Sequence, residues 1–352
     1  MQLYNKIDKN VLKKKMQESS EERTTLSFYK YHQIKDPQAF RDHFFQLFNE
    51  IGVMGRVYVA KEGINGQVSV NTDLLEDFKK RMYSIDFLDQ VRLNIAVDDD
   101  GKSFFKLIVK VRKKIVADGL DDDTFDASNG GTHLDAEGFN KLTEQEDTVV
   151  IDMRNHYETE VGHFKGALLP DADTFRDALP MAEEMIKGKE DSPVIMYCTG
   201  GIRCEKASAY FKHKGFKQVY QVEGGIIKYA QDVKEKGLEN KYIGKNFVFD
   251  ERLGERISDD IISRCHQCGT PCDTHTNCKN DACHLLFIQC DDCKKKYNNC
   301  CSQECSDIIQ LPVDEQKKIR QGKDLGRQVF KKGRWKTPSE YRKSLNDKLD
   351  AM

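Results

Sequence analysis

The chain has 352 residues, of which 38% are hydrophobic and 32% charged, and its formal net charge is −2. This composition is typical of a globular protein folded in two or three domains, and it excludes a chain that is disordered throughout. The longest apolar runs are far shorter than the roughly 20 residues of a membrane span, and the N-terminus lacks a secretory signal pattern, so a cytoplasmic protein is expected.

Residues 24–110 alternate between strand and helix patterns. The patterns predict four strands and two helices, the strands over residues 24–34, 53–60, 66–70 and 91–97 and the helices over 37–52 and 72–83. The order βαββαβ is that of the ferredoxin-like fold. We therefore predict a ferredoxin-like or acylphosphatase-like N-terminal domain that spans residues 1–125 with its linker.

A basic strand pattern follows over residues 104–116, where apolar residues alternate with Lys106, Lys110, Arg112, Lys113 and Lys114. These cations could line a nucleic-acid groove. Lysine on an edge strand also protects a sheet from aggregation, so both interpretations stay open. The acidic, glycine-containing stretch 117–131 is typical of a linker.

Residues 126–240 have the strand and helix alternation of a parallel sheet. The patterns predict three buried strands, over residues 148–153, 192–198 and 217–225, and three helices, over 173–188, 203–214 and 225–237. The chain is therefore expected to combine an α+β domain with an α/β domain.

Cys198 ends the second of these strands, and a short loop separates it from the helix that begins near Cys204. In such a loop, glycines let several backbone N–H groups converge on one atom, and the helix N-terminus adds positive potential. Arg203 adds a full positive charge, so the expected pKa of Cys198 lies below the reference value of about 8.5. We predict a nucleophilic thiolate, with a merely buried strand cysteine as the alternative. The predicted catalytic residues are Cys198 and Arg203, and the predicted active-site loop is Thr199, Gly200, Gly201, Ile202 and Cys204. Cys204 could act as a resolving thiol or pack in the first helical turn.

Ten of the twelve cysteines lie between residues 265 and 305, within a region, 241–310, where the periodic patterns give way to loops. Two CxxC pairs predict a closed tetrahedral metal site with four sulfur ligands, and two wider pairs could form a second, interleaved site. The predicted ligands are Cys265, Cys268, Cys290 and Cys293 for the first site and Cys278, Cys283, Cys301 and Cys305 for the second.

A structural zinc is the expected metal of this cysteine-rich module, because a catalytic zinc usually keeps an open position. An iron–sulfur cluster would also accept cysteine ligands. His266, His275 or His284 could replace a cysteine.

Residues 311–352 form a predicted basic tail. From Gln316 to Met352 it has twelve Lys or Arg against four Asp or Glu, a net +8, with Trp335 and Tyr341 interleaved. Such a tail suits a phosphate backbone, and it could equally be a solvated, poorly ordered terminus.

Four segments of the second domain resemble the rhodanese family. They are Asp152–Glu158, Val161–Ala167, Cys198–Arg203 and Val222–Ile226. The resemblance implies that Cys198 occupies the position of the family's persulfide-bearing cysteine. It also implies a bracing role for Asp152, Arg154, Glu158 and His163.

A longer resemblance covers residues from about 24 to 305. It rests on six segments: SFYKY (27–31), GRVYVAKEGINGQVSV (55–70), LNIAVDDDGKSF (93–104), CTGGIRCEKASAY (198–210), GKNFVFDERLGERIS (244–258) and CHQCGTPCDTHTNCKN (265–280). Together they are similar to the bacterial tRNA uridine(34) hydroxylase family. The resemblance implies oxygen-dependent formation of 5-hydroxyuridine at the wobble position, with tRNA as the partner and molecular oxygen as co-substrate.

The residues alone leave the function open among three classes. Hydroxylation of tRNA uridine is the leading hypothesis, with Cys198 either adding to the uridine ring or carrying the oxidising equivalent. A rhodanese-type sulfurtransferase that delivers persulfide sulfur to tRNA or another acceptor would use the same thiolate. A non-catalytic protein that binds tRNA or a partner would need only the basic segments and the metal module.

Overall fold

The computed structural model describes residues 7–120, 125–126, 129–321 and 328–350. Its helices are α1 (Lys9–Glu18), α2 (Pro37–Asn49), α3 (Leu75–Tyr83), α4 (Ala136–Leu142), α5 (His156–Thr159), α6 (Phe175–Met185), α7 (Ile202–His213), α8 (Gly225–Lys236), α9 (Asp291–Lys296), α10 (Gln303–Ile308), α11 (Val313–Arg320) and α12 (Pro338–Asp350). Its strands are β1 (Arg23–Tyr31), β2 (Met54–Ala60), β3 (Gly63–Asn71), β4 (Asn94–Ile95), β5 (Leu107–Val111), β6 (Thr132–Leu134), β7 (Val149–Asp152), β8 (Gly162–Phe164), β9 (Pro193–Tyr197), β10 (Gln218–Val222), β11 (Tyr242–Asn246), β12 (Glu255–Arg256), β13 (His275–Asn277) and β14 (Leu286–Ile288).

These elements belong to two units. The first contains the described residues of Met1–Asn155, Phe164–Lys241 and Val248–Arg256, and the second contains those of His156–His163, Tyr242–Phe247 and Ile257–Met352. Among the described residues, no helix combines the length and the apolar content that a membrane crossing needs.

The N-terminal sheet of the first unit has the strand order β4-β1-β3-β2-β5. Strands β1, β2, β3 and β4 pair antiparallel, which with helices α2 and α3 gives the predicted ferredoxin-like βαββαβ arrangement. The fold-class prediction is confirmed here. The helices cover one face of the sheet through fully buried rings such as Phe44, Phe48 and Phe78.

Strand β4 is shorter than the predicted strand 91–97. Only Asn94 and Ile95 pair with β1, whereas Val91 and Leu93 pack into the core from an unpaired extended segment. Alternating apolar residues serve either arrangement, because the alternation reports which face is buried and not whether the backbone is paired.

Strand β5 lies at the edge of this sheet and runs parallel to β2, as the basic strand pattern predicted. Lys114 is held within the unit, since its Nζ donates to Asp118 at 2.8 Å and to the carbonyl of Leu120 at 2.7 Å. The guanidinium of Arg112 lies 5.3 Å from the centre of the Tyr58 ring. A nucleic-acid role of this strand stays a prediction.

The second sheet of the first unit has the order β6-β10-β9-β7, and its pairings are parallel. Helices α6, α7 and α8 follow in the predicted places, so the rhodanese-like α/β architecture is also confirmed. Val194, Ile195 and Met196 of the central strand β9 have no exposed surface, as expected for a strand covered on both faces.

The second unit holds the cysteine-rich module, in which β13 pairs antiparallel with β14. Its core consists largely of cysteines, together with aromatic residues such as Phe287 and Phe330. Tyr341 of the predicted basic tail is buried in this core, 4.6 Å from the ring of Trp335. These two aromatic residues are therefore packing residues, and neither belongs to a solvated arm.

Candidate functional site

The loop after β9 wraps around the sulfur of Cys198. The N–H of Gly201 donates to this sulfur at 3.1 Å, and the N–H of Arg203 donates to it as well. Gly201 has φ +100°, a conformation that side chains rarely adopt, and it begins the helix α7. The predicted loop residues therefore lie together around Cys198, and the N–H groups of Gly201 and Arg203 are directed at the sulfur.

A second glycine holds the loop from the other side. A Cβ on Gly225 would lie 2.5 Å from the carbonyl oxygen of Cys198, so only glycine fits there. The next two residues donate their N–H groups to the loop, Ile226 to Cys198 at 3.0 Å and Ile227 to Thr199 at 3.2 Å. The start of α8 thus fixes the backbone on which the sulfur is carried.

The electrostatics of the loop favour the thiolate of Cys198. Its complete burial raises the pKa, but a hydrogen bond from Cys204, the charge of Arg203 and the N–H groups of Arg203 and Gly201 outweigh burial and lower the pKa to about 6. At neutral pH this sulfur is mostly ionised, which is the form that acts as a nucleophile. Arg203 is itself buried, with Nη2 3.4 Å from the hydroxyl of Thr199.

Cys204 is fully buried in the first turn of α7. Burial and the neighbouring Cys198 raise its pKa well above the ordinary value, so it stays a thiol and donates its proton to the Cys198 sulfur. The geometry gives Cys204 the position of a hydrogen-bond donor to the thiolate.

The N-terminal sheet lies against the loop, a contact that the sequence did not predict. The hydroxyl of Tyr29 donates to Glu205 at 3.0 Å, that of Tyr31 to the carbonyl of Ile202 at 3.4 Å, and the amide of Asn94 to the carbonyl of Gly200 at 3.5 Å. These partners are far apart in the chain, and no local sequence pattern predicts that they are in contact. The active-site loop is therefore bounded by two domains.

A buried charge cluster anchors the same interface. Lys206 of α7 is 2% exposed, and its Nζ lies 2.7 Å from Glu62 and 3.3 Å from Asp118. Removing one member of a buried pair leaves an uncompensated charge, so these residues hold α7 against the β2–β3 hairpin.

A cleft opens beside the loop, with about 370 Å³ of empty space that is partly open to solvent. Thr199, the residue after Cys198, lines it together with residues of the N-terminal sheet, α8 and the segment 248–255. The lining of the cleft is Thr25, Leu26, Ser27, Gln67, Asn94, Ala96, Thr199, Ile227, Val248, Phe249, Asp250, Arg252 and Glu255.

The residues expected to brace the rhodanese-like domain lie away from the sulfur's hydrogen bonds. Arg154 and Asp152 form a buried ion pair at 2.6 Å in the first unit. His163, in the second unit, has its Nδ1 3.1 Å from the carbonyl oxygen of Thr159. The bracing role remains an expectation.

The cysteine-rich module brings its sulfurs together in two groups of four. Within each group the sulfurs all lie within 4.8 Å of one another. The groups are Cys265, Cys268, Cys290 and Cys293, and Cys278, Cys283, Cys301 and Cys305. Along the chain the pairs alternate between the groups: Cys265/Cys268 and Cys290/Cys293 belong to the first group, and Cys278/Cys283 and Cys301/Cys305 belong to the second. The two clusters therefore interleave.

The sulfur spacing fits one metal ion per cluster. A tetrahedral ion with Zn–S bonds of about 2.3 Å holds its sulfurs about 3.8 Å apart. The Cys268–Cys290, Cys283–Cys301 and Cys301–Cys305 sulfurs lie 3.6, 3.6 and 3.7 Å apart. These separations are much longer than a disulfide bond of about 2.05 Å. In a multi-iron cluster, cysteines bind different irons, so spacings this close favour a single ion.

Polar groups around the clusters support thiolate ligands. The N–H of Cys290 donates to the sulfur of Cys265 at 3.4 Å, and the amide of Asn280 donates to that of Cys305 at 3.3 Å. Hydrogen bonds of this kind orient metal ligands. Cys272 and Cys300 belong to neither group.

Histidine does not replace a cysteine in either group among the described residues. Both ring nitrogens of His266 are engaged, Nε2 with Glu160 at 2.9 Å and Nδ1 with the N–H of Ile288 at 3.1 Å. The eight ligands that the sequence predicted are the eight cysteines that come together.

Three family models match the chain. An acylphosphatase-like domain described as UPF0176 matches residues 23–115, the rhodanese-like domain matches 135–232, and a domain described as rhodanase C-terminal matches 243–306. The tRNA uridine(34) hydroxylase of Photorhabdus laumondii is 56% identical over 333 residues, which cover 94% of this chain and 95% of that protein. The protein of the same name from Yersinia pestis is 56% identical over 94% of both chains.

Solved structures are similar over about a third of the chain. The rhodanese-like domain of an Anabaena protein is 18% identical and covers 32% of this chain and 78% of its own, with a TM-score of 0.27. A rhodanese-like domain protein from Staphylococcus aureus is 22% identical and covers 28% of this chain and 90% of its own, with a TM-score of 0.24.

Proposed function

The chain belongs to the tRNA uridine(34) hydroxylase family, and from this premise we propose that it converts the wobble uridine of tRNA to 5-hydroxyuridine with Cys198 as the catalytic residue. The observation that carries the proposal is the thiolate of Cys198, with a pKa of about 6, next to a cleft that two domains enclose. Rhodanese-type sulfur transfer needs the same thiolate, but the family relationship favours hydroxylation.

Cys198 supplies the nucleophile in this proposal. Its thiolate adds to C6 of the uracil, which moves an electron pair toward C5 and O4 and makes C5 electron-rich. The N–H groups of Gly201 and Arg203 then point toward a sulfur that no longer carries charge, and the charge of Arg203 remains for the developing enolate. When C5 has taken its oxygen, loss of the C5 proton and cleavage of the S–C6 bond restore the thiolate.

The overall reaction balances with molecular oxygen as oxidant and a thiol-class reductant. One oxygen atom enters the C5–H bond, the O–O bond breaks, and the second oxygen atom leaves as water. Two electrons and two protons from the reductant complete the water. Cys198 is regenerated and is not consumed.

Zinc is the proposed metal of both cysteine clusters, with one ion held by Cys265, Cys268, Cys290 and Cys293 and a second by Cys278, Cys283, Cys301 and Cys305. Four thiolates at tetrahedral spacing leave no open coordination position on the metal ion. The ions would therefore stabilise the fold of a module whose apolar core is small. No step of the hydroxylation passes through them.

The test of the proposed function is an in vitro reaction. Purified full-length protein is incubated with unmodified tRNA under O2 or under argon, with and without a thiol reductant and with and without a sulfane sulfur donor such as thiosulfate, and the tRNA nucleosides are analysed by mass spectrometry. We expect 5-hydroxyuridine only with both O2 and reductant. Formation of 2-thiouridine instead would identify a sulfurtransferase, and absence of both products under all conditions would contradict an enzymatic role.

A 5-fluorouridine at position 34 tests the covalent step separately. Fluorine cannot leave C5 as the proton does, so the adduct between Cys198 and C6 should accumulate and survive denaturing electrophoresis. The Cys198→Ser variant should form none. If the wild-type protein hydroxylates uridine but traps no adduct, Cys198 carries the oxidising equivalent instead of adding to the ring.

A further inference from the structure

Asn94 lines the cleft beside the loop and carries a buried amide oxygen that the described protein groups leave unsatisfied. Asn94 is 4% exposed, and its Oδ1 accepts no hydrogen bond from any residue that the structure describes. A buried acceptor without a donor costs free energy, so such an atom suggests a partner from outside the chain.

The orientation of this amide is set by the active-site loop. Nδ2 of Asn94 donates to the carbonyl oxygen of Gly200 at 3.5 Å. A flipped amide would place Oδ1 against that carbonyl and lose the hydrogen bond, because a carbonyl oxygen cannot donate. Oδ1 is therefore the side-chain atom of Asn94 that has no hydrogen-bond partner among the described residues.

The charges around the cleft disfavour an anion. Arg252 is bound by Asp250 at 2.9 Å through Nε and by Glu255 at 2.8 Å through Nη1. One cation faces two carboxylates, so the lining carries no spare positive charge for a phosphate. The wall near Asn94 combines neutral polar residues, such as Ser27 and Thr199, with apolar residues. The apolar residues include Leu26, Ile227 and the half-buried Phe249.

A flat, neutral heterocycle with an N–H donor on its edge fits these features. Uracil has such a donor at N3, whereas cytosine has an acceptor at its N3 and its donor at N4, so an acceptor placed opposite N3 distinguishes the two bases. An aromatic ring in the wall would favour the face of a base by stacking.

We propose that this cleft is the pocket for the flipped-out base and that Asn94 selects uracil by accepting a hydrogen bond from its N3–H. This inference rests on the proposed function and adds to it the residue that reads the base. Bases on which enzymes act are commonly taken out of the stack and read along this edge. Through Gly200, Asn94 also ties the base to the loop that carries the sulfur.

The experiment compares two RNAs with the full-length protein. Synthetic anticodon stem–loops carry either uridine or 3-methyluridine at position 34, and both affinity, by fluorescence anisotropy, and product formation, by nucleoside mass analysis, are measured. We expect wild-type protein to bind the 3-methyluridine RNA about tenfold more weakly, because Oδ1 loses its donor. In Asn94→Ala the affinity for the uridine RNA should fall by a similar factor, and the preference between the two RNAs should disappear.

The controls separate recognition from folding. Asn49→Ala, at the exposed end of α2, should leave both affinities and their ratio unchanged. Equal affinity of the wild-type protein for the two RNAs would overturn the proposal. An Asn94→Ala variant whose affinity for both RNAs falls by the same factor would also overturn it. The wild-type comparison requires no variant, so equal binding of the two RNAs would overturn the proposal even if Asn94→Ala fails to fold.

Affinity and product formation report on different claims. If the preference for uridine depends on Asn94 but no 5-hydroxyuridine forms, the result supports the base pocket and contradicts the proposed hydroxylation. If 5-hydroxyuridine forms equally well when Asn94 is replaced and no preference is seen, the hydroxylation stands and the pocket assignment fails.

Discussion

Cys198 and six of the eight cluster cysteines of the metal module are buried, yet their neighbours prepare them for different chemistry. The sulfur of Cys198 receives N–H and S–H donors and lies near one guanidinium, so a single negative charge is already balanced by the protein. In the module four sulfurs converge within 4.8 Å, and the few N–H donors cannot balance four negative charges. The number of converging sulfurs, more than burial, separates a reactive thiolate from a metal ligand.

Among the replacements considered, that of Cys198 should reduce the enzymatic activity most. In Cys198→Ser the hydroxyl keeps its proton at neutral pH, so the nucleophile is lost and no 5-hydroxyuridine should form above background. Thermal stability and bound zinc should remain those of the wild-type protein. Nucleoside analysis and metal analysis on the same preparation check both statements, and full activity of the variant would remove Cys198 from the mechanism.

Replacing a cluster cysteine should instead lower the metal content and the stability of the module. Cys301→Ser removes a ligand whose sulfur lies 3.6 Å from Cys283 and 3.7 Å from Cys305, so one metal ion should be lost and the module should unfold at a lower temperature. The pKa of Cys198 should not change. Cys272→Ser is the matched control, since Cys272 is buried but belongs to neither group. Equal zinc content in the two variants would argue against the second site.

The charge of Arg203 should set the pH at which the enzyme loses activity. The thiolate is the active form, so activity falls as the pH decreases through the pKa of Cys198, about 6. Without the guanidinium the thiolate is less favoured, and in Arg203→Gln the fall should begin about one pH unit higher. The exposed Arg176 of α6 offers a control, Arg176→Gln. An unchanged acidic limb in the rate profile of Arg203→Gln would contradict the electrostatic account.

Replacing Cys204 should shift the same acidic limb, because its hydrogen bond also lowers the pKa of Cys198. Cys204→Ala removes the hydrogen bond that Cys204 donates to Cys198, so the pKa of Cys198 should rise and the acidic limb should move upward, while the rate at alkaline pH stays close to that of the wild-type protein. The ultraviolet absorbance of the thiolate, taken as the difference from Cys198→Ser, measures the pKa directly. Loss of activity at every pH would instead support Cys204 as a resolving thiol.

Features with a local cause could be predicted from the sequence. The periods of apolar residues indicated both sheets, and the glycines and Arg203 after a buried strand indicated the loop around Cys198. The CxxC pairs indicated which sulfurs come together, because their spacing suits a tight turn with two ligands. In each case the signal and the structure lie within one short stretch of chain.

Features that join distant segments could not be predicted in this way. The hydrogen bond from Tyr29 to Glu205 joins residues 176 positions apart, and that from Asn94 to Gly200 joins residues 106 positions apart. Neither Tyr29 nor Asn94 lies in a pattern that distinguishes it from its neighbours in the N-terminal domain. The packing of Trp335 and Tyr341 could not be predicted either, since the sequence placed them in a basic tail and the structure packs them against the core of the module. A role of the basic residues of this tail in RNA binding stays a prediction.

The interleaving of the two cysteine clusters has a consequence for biosynthesis. As the chain leaves the ribosome, Cys265, Cys268, Cys278 and Cys283 appear before either pair has its native partner, and these four sulfurs suffice for a tetrahedral ion. Such an ion would join two half-sites that belong to different clusters. The first cluster has its four sulfurs once Cys293 has been made, whereas the second needs Cys301 and Cys305, so a chain that ends between residues 293 and 301 contains one complete site and only half of the other.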